Sequence, residues 1–122
     1  MKPYYDHAGI TIYHGDCREV LPGLVADVLV TDPPYGIAHE SGWDGPFQHT
    51  QINGDDSTKL RDYILNLWEE RPAIVFGTWK RPAPFGAHTA LVWDKGPASG
   101  MGNLSVPWKQ SWETIFILGA GF

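Results

Sequence analysis

Apolar residues along this chain fall into short bursts separated by proline and glycine, and the sharpest burst meets the sharpest stop. Val28, Leu29 and Val30 run without alternation inside residues 26–31 and end in Asp32-Pro33-Pro34-Tyr35. An unbroken run of this length predicts a strand buried on both faces, as in a parallel sheet. Neither proline has an N–H to donate to a ladder, so the strand must stop at Asp32. Its carboxylate is then left at the carboxyl edge of the sheet, the edge at which open α/β sheets bind ligands.

The remaining pattern supplies a frame for that strand. Residues 2–9 are polar and aromatic with no periodicity, whereas Ile10-Thr11-Ile12-Tyr13-His14 alternates and predicts a strand ended by Gly15-Asp16. A short helix is expected over residues 17–24, broken or bent at Pro22, with Asp16 placed to cap it. Leu60, Tyr63, Ile64, Leu67 and Trp68 recur at helical spacing and predict a helix over 57–71 with one apolar, core-facing stripe. Asp56 or Ser57 can cap it, and Pro72 stops it. Residues 73–77 form a third buried strand, so strand, helix and strand make a βαβ unit with a right-handed crossover. An irregular basic linker over 78–87 carries Trp79, Lys80 and Arg81; strands are expected at 91–93 and 113–118, on either side of a glycine-rich loop over 96–107. That loop lacks the spacing of a phosphate cradle.

Residues 36–55 are long and polar, with Trp43 and Phe47 as large aromatics. A connection of that length in a compact domain is commonly functional, and a lid over a bound base is the functional reading beside a plain surface loop. His39 and His49 have no companion cysteine, so no metal site is expected there.

Composition narrows the setting. A chain of 122 residues is one domain at most, and six tryptophans argue against disorder. Cys17 is the single cysteine, which excludes a disulfide framework and suits a reducing cytoplasm. No signal peptide or apolar span of membrane length is seen, so a soluble, cytoplasmic protein without membrane contact is expected. The net charge of −5 opposes phosphate binding, but it is unevenly spread. Residues 1–79 carry five basic against twelve acidic side chains, and residues 80–122 carry four against two. Any contact with a nucleic-acid duplex is expected from the second part.

Asp32-Pro33-Pro34-Tyr35 has a definite chemistry. An ionised Asp32 only accepts hydrogen bonds, and the Pro33 carbonyl adds a second acceptor on a backbone of fixed φ. Two neighbouring acceptors suit a planar amino group, such as that of adenine or cytosine, while Tyr35 offers a face on which an unstacked base can lie.

Asp-Pro-Pro-Tyr after an apolar strand resembles the catalytic motif of the S-adenosylmethionine-dependent amino-methyltransferases of DNA, which act on adenine N6 or cytosine N4. The Asp form leans towards adenine. The resemblance implies an α/β fold, a partial Rossmann-like methyltransferase sheet, mostly parallel with an antiparallel C-terminal strand. It implies Asp32, Pro33, Pro34 and Tyr35 as catalytic residues, S-adenosylmethionine as cofactor with Asp16 and Asp32 near it, and double-stranded DNA with the target base flipped out as partner. Restriction-modification in a bacterium or phage is the expected setting.

In the family's permuted order the cofactor motif, Phe-x-Gly-x-Gly after a strand, follows the catalytic motif, with a recognition segment between them. Residues 1–122 hold neither, and the terminal Gly119-Ala120-Gly121-Phe122 has no helix after it to bind a cofactor. The expectation is a single, incomplete catalytic domain that lacks the cofactor-loop strands and is inactive alone. It would carry bare strand edges open to a missing half or to self-association. The alternatives are a cytosine-N4 enzyme, the same fold acting on RNA or protein amides, and an inert α/β interaction module.

Overall fold

The computed structural model describes residues 1–38, 52–97, 105, 108 and 110–121. The chain opens with a hairpin of β1 (Tyr5–His7) and β2 (Ile10–Ile12), in antiparallel register with Tyr5 opposite Ile12. Its two-residue turn places Ala8 and Gly9 at φ 52° and 79°, the left-handed pair that matches strand twist. β1 therefore occupies residues expected to lack regular structure. The usual sign of such a turn, Asn-Gly or Asp-Gly, is here replaced by Ala-Gly. Helix α1 (Cys17–Val20) follows and tightens into a 3-10 turn at Leu21–Gly23, where Pro22 sits.

Four strands build the main sheet: β3 (Leu29–Thr31), β4 (Ala73–Gly77), β5 (Ala87–Asp94) and β6 (Trp112–Leu118). Their spatial order is β3-β4-β6-β5. β3 and β4 are parallel, joined through helix α2 (Lys59–Trp68), so the expected βαβ unit is present. β6 inserts antiparallel between β4 and β5, leaving β3, β4 and β5 aligned in one direction. The α/β class and the reversed last strand agree with the sequence reading, and the sheet is compatible with a partial Rossmann-like fold.

The core lies on one side of this sheet. Ala73 and Val75 of β4 and Phe116 and Leu118 of β6 meet Ile64 and Trp68 of α2, with Leu21 at the margin. The Pro72 carbonyl ties the unit together, accepting from the Leu29 N–H at 3.0 Å and from the Trp68 indole at 2.9 Å. Trp68 is 1% exposed, as its place in the stripe predicts, but Tyr63 of the same stripe faces solvent at 48% exposure. The helix is also shorter than expected, because Glu69 leaves helical geometry at φ 62° before Pro72 is reached.

β3 departs from the sequence reading in a second way. It is an edge strand covered on one face, so Leu29 is half-buried while Val30 is 63% exposed. A run of three apolar residues did not signify burial on both faces. No helix among the described residues is long and apolar enough to cross a membrane. Most of the expected lid over 36–55, with both of its histidines, lies outside the described residues, as does most of the glycine-rich loop.

Candidate functional site

β3 ends at Thr31, and the two prolines carry the chain away from the ladder at the carboxyl edge shared with β4. Asp32 is exposed there, Pro33 is buried and Tyr35 is half-buried. Among the described residues no backbone N–H donates to the Pro33 carbonyl, and the Asp32 carboxylate, which meets the Tyr35 hydroxyl, keeps its remaining lone pairs for another donor. They border a hollow of about 490 Å³ whose walls include Asp32, Pro33, Tyr35, Thr78, Lys80 and Trp112. That size lies within the roughly 300–1,000 Å³ of small-ligand sites. A larger hollow of about 910 Å³, between α2 and the segment around Phe85, includes none of the four motif residues.

Tyr35 is held by the far end of the chain. Its hydroxyl donates to Glu113 Oε2 at 3.1 Å, and Glu113 Oε1 is paired with Lys95 at the end of β5. Lys95 also lies 5.2 Å from the centre of the Trp93 ring. Burial, then the Asp32 carboxylate beside the hydroxyl, then Glu113, push the phenol well above its ordinary range. Tyr35 is therefore a neutral donor at any physiological pH. It stands between two carboxylates, one of which Lys95 neutralises.

The turn after Tyr35 is anchored from a different direction. Asp55, 4% exposed, accepts the Gly36 N–H at 2.7 Å through Oδ1, and its backbone carbonyl accepts the Ala38 N–H at 2.6 Å. Gly36 sits at φ 75°, and a Cβ there would lie 2.7 Å from the Ser57 carbonyl carbon. Both the left-handed backbone and the close approach require glycine. The motif is thus clamped between the segment just before α2 and the start of β6, which is what a pre-organised site needs.

The structure brings Asp32, Pro33, Pro34 and Tyr35 together around the hollow, as their adjacency demands. Asp16 is not among the residues that line it. Its Oδ1 accepts the Arg18 N–H at 2.9 Å as the cap of α1, and both oxygens face the Arg18 guanidinium. That hydrogen bonding lowers its pKa from 3.8 to about 2. Asp55, Glu113, Lys95 and Thr78 escaped the sequence reading; the tight Gly36 turn was the one local hint that a partner for its N–H was required.

No family model matches the chain. A 42-residue segment is 45% identical to the Type II methyltransferase M.ScaI of Streptomyces caespitosus. The similarity is to a methyltransferase. It covers 32% of this chain and spans 14% of that protein's length. A relationship to the methyltransferases is what it supports.

Proposed function

We propose that this chain carries the amine-binding site of a DNA (adenine-N6)-methyltransferase that uses S-adenosylmethionine. The observation that carries the reading is the exposed Asp32 carboxylate beside an unspent Pro33 carbonyl, at the mouth of a hollow walled by Tyr35. Two acceptors on a rigid strand end match the two N–H groups of an exocyclic amine. Accepting both hydrogens draws the nitrogen lone pair out of conjugation with the ring and fixes its direction, so orientation and electrostatics supply the rate. The Tyr35 ring gives the extruded base a face to lie on, and its hydroxyl, committed to Glu113, fixes the plane of that face.

S-adenosylmethionine, when bound, supplies the electrophilic methyl group. The residues present fit such a cation at Asp32, whose carboxylate is exposed at the hollow. Asp16 fits less directly, since its oxygens already serve Arg18, and it can reach a cofactor only through their remaining lone pairs. The similarity to a Type II methyltransferase supports the transferase class, and the preference for adenine over cytosine rests on the family resemblance of the Asp-Pro-Pro-Tyr form alone.

The test is a nuclear magnetic resonance titration of the chain with adenosine, cytidine and thymidine. Adenosine should shift the amides of Tyr35, Gly36 and Thr78, and thymidine, which has no exocyclic amine, should not. Asp32→Ala should reduce the adenosine affinity at least tenfold. A stronger response to cytidine would favour the N4 chemistry, and an equal response to thymidine would remove the amine site altogether.

A further inference from the structure

We infer that the turn after β4, formed by Thr78, Trp79, Lys80 and Arg81, is a contact site for the sugar-phosphate strand that carries the target base. This deepens the reading above and rests on it for the identity of the polymer, but its own support lies elsewhere.

The first support is an imbalance of partners. Among the described residues, Arg18 faces Asp16, Arg61 faces Asp62 and Lys95 faces Glu113, while Arg71 stacks on Trp68 and bonds its carbonyl. Lys2, Lys59, Lys80 and Arg81 are exposed and meet no carboxylate among the described residues, and of these four only Lys80 and Arg81 are neighbours in the chain. The chain as a whole carries −5, so two adjacent uncompensated cations create a local field opposite to the average one.

The second support is their place. Lys80 borders the same hollow as Asp32 and Tyr35. A nucleotide whose base entered that hollow would leave its phosphates at the rim, where a cation is needed. An acidic protein segment would have no reason to meet the hollow.

The third support is order. Thr78 is 7% exposed and its hydroxyl accepts the Lys80 N–H at 3.2 Å, which fixes the turn. Trp79 is 60% exposed, yet its indole N–H donates to Gln110 at 2.8 Å, and Gln110 in turn donates to the Trp112 carbonyl at 2.8 Å. A large aromatic face is thus displayed in one orientation beside two cations. Stacking on aromatics next to backbone-tracking cations is how single strands are held.

The experiment is fluorescence anisotropy of the full chain with a labelled single-stranded oligonucleotide over a series of salt concentrations. Lys80→Gln and Arg81→Gln should each flatten the slope of log K against log salt by about one. Lys2→Gln, at the opposite end of the chain, should not change it. Trp79→Ala should weaken binding roughly tenfold with the slope unchanged, and Trp79→Phe should recover most of the loss. Near-ultraviolet circular dichroism checks that each variant keeps its fold. Absence of binding, slopes unaltered in both cation variants, an equal effect of Lys2→Gln, or equal displacement by polyglutamate would overturn the inference. The nucleoside titration reads the amine site without phosphate, so either result can fail while the other stands.

Discussion

At the scale of single residues, Tyr35 shows what local pattern can and cannot disclose. Its place in Asp-Pro-Pro-Tyr marked it for the site, but its partner Glu113 is 78 residues away and no spacing rule connects them. The same holds for Asp55, 19 residues from Gly36 and set in a polar stretch that reads as loop. Motif residues are legible because one short peptide positions them; the groups that hold the motif are not, because the sheet must form before they meet. The Tyr35 link has a measurable consequence. Its phenol pKa is raised above 10.0 in the folded chain, so the contribution to stability is complete below pH 10. It is lost as pH rises past that value, because the unfolded chain can then ionise and the folded one resists. Chemical denaturation of the native chain should therefore show a decline in stability above pH 10 that is smaller in Tyr35→Phe. At neutral pH the same substitution should cost about 1.5–3 kcal/mol, the range for a hydrogen bond to a charged group. An unchanged alkaline decline in Tyr35→Phe would show that the hydroxyl is free of its neighbours.

At the scale of elements, α2 was readable because its apolar residues recur at helical spacing, and β4 because an unbroken apolar run follows Pro72. The errors came where pattern and tertiary context compete. Val30 belongs to an apolar run but lies exposed on the edge strand, and Tyr63 belongs to the helical stripe but is left facing solvent. β5 runs over Ala87–Asp94, longer than the apolar Leu91-Val92-Trp93, since pairing with β6 recruits Thr89 and Ala90 irrespective of their hydropathy. The turn between Tyr35 and Ala38 is an element in its own right, built on Gly36 and Asp55. Gly36→Ala forces a methyl group against the Ser57 backbone at a left-handed φ, and should cost about 1–3 kcal/mol or displace the turn. Thermal melts with the adenosine titration would separate these outcomes: displacement lowers the affinity at near-normal stability, strain lowers the melting temperature. A variant matching the native chain in both would mean that the backbone at Ser57, ahead of α2, can yield.

At the scale of the whole molecule, strand order is what the residues alone conceal, and it is what assembles the site. Among the described residues β3 and β4 are joined through one helix, but β5 pairs with the sheet solely through β6. β6 therefore carries two duties: Thr114, Phe116 and Leu118 pack on the covered face, and Glu113 on the other face reaches Tyr35. Phe116 is 6% exposed, opposes Val75 across the β4 ladder, and lies so close to Gly77 that a Cβ there would sit 2.9 Å from its ring. Phe116→Ala should remove about 3–5 kcal/mol, a large part of the roughly 5–15 kcal/mol that holds a domain together. Because β6 bridges both halves of the sheet, the loss should be shared. In native-state hydrogen exchange, protection in β4 and β5 should fall together in this variant, and the Tyr35 hydroxyl should lose its bond to Glu113 at the same denaturant concentration. If β5 and β6 lost protection while β3 and β4 kept theirs, the βαβ unit would be independently stable. The clamp on Tyr35 would then be an attachment of a separate hairpin, not a product of one cooperative sheet.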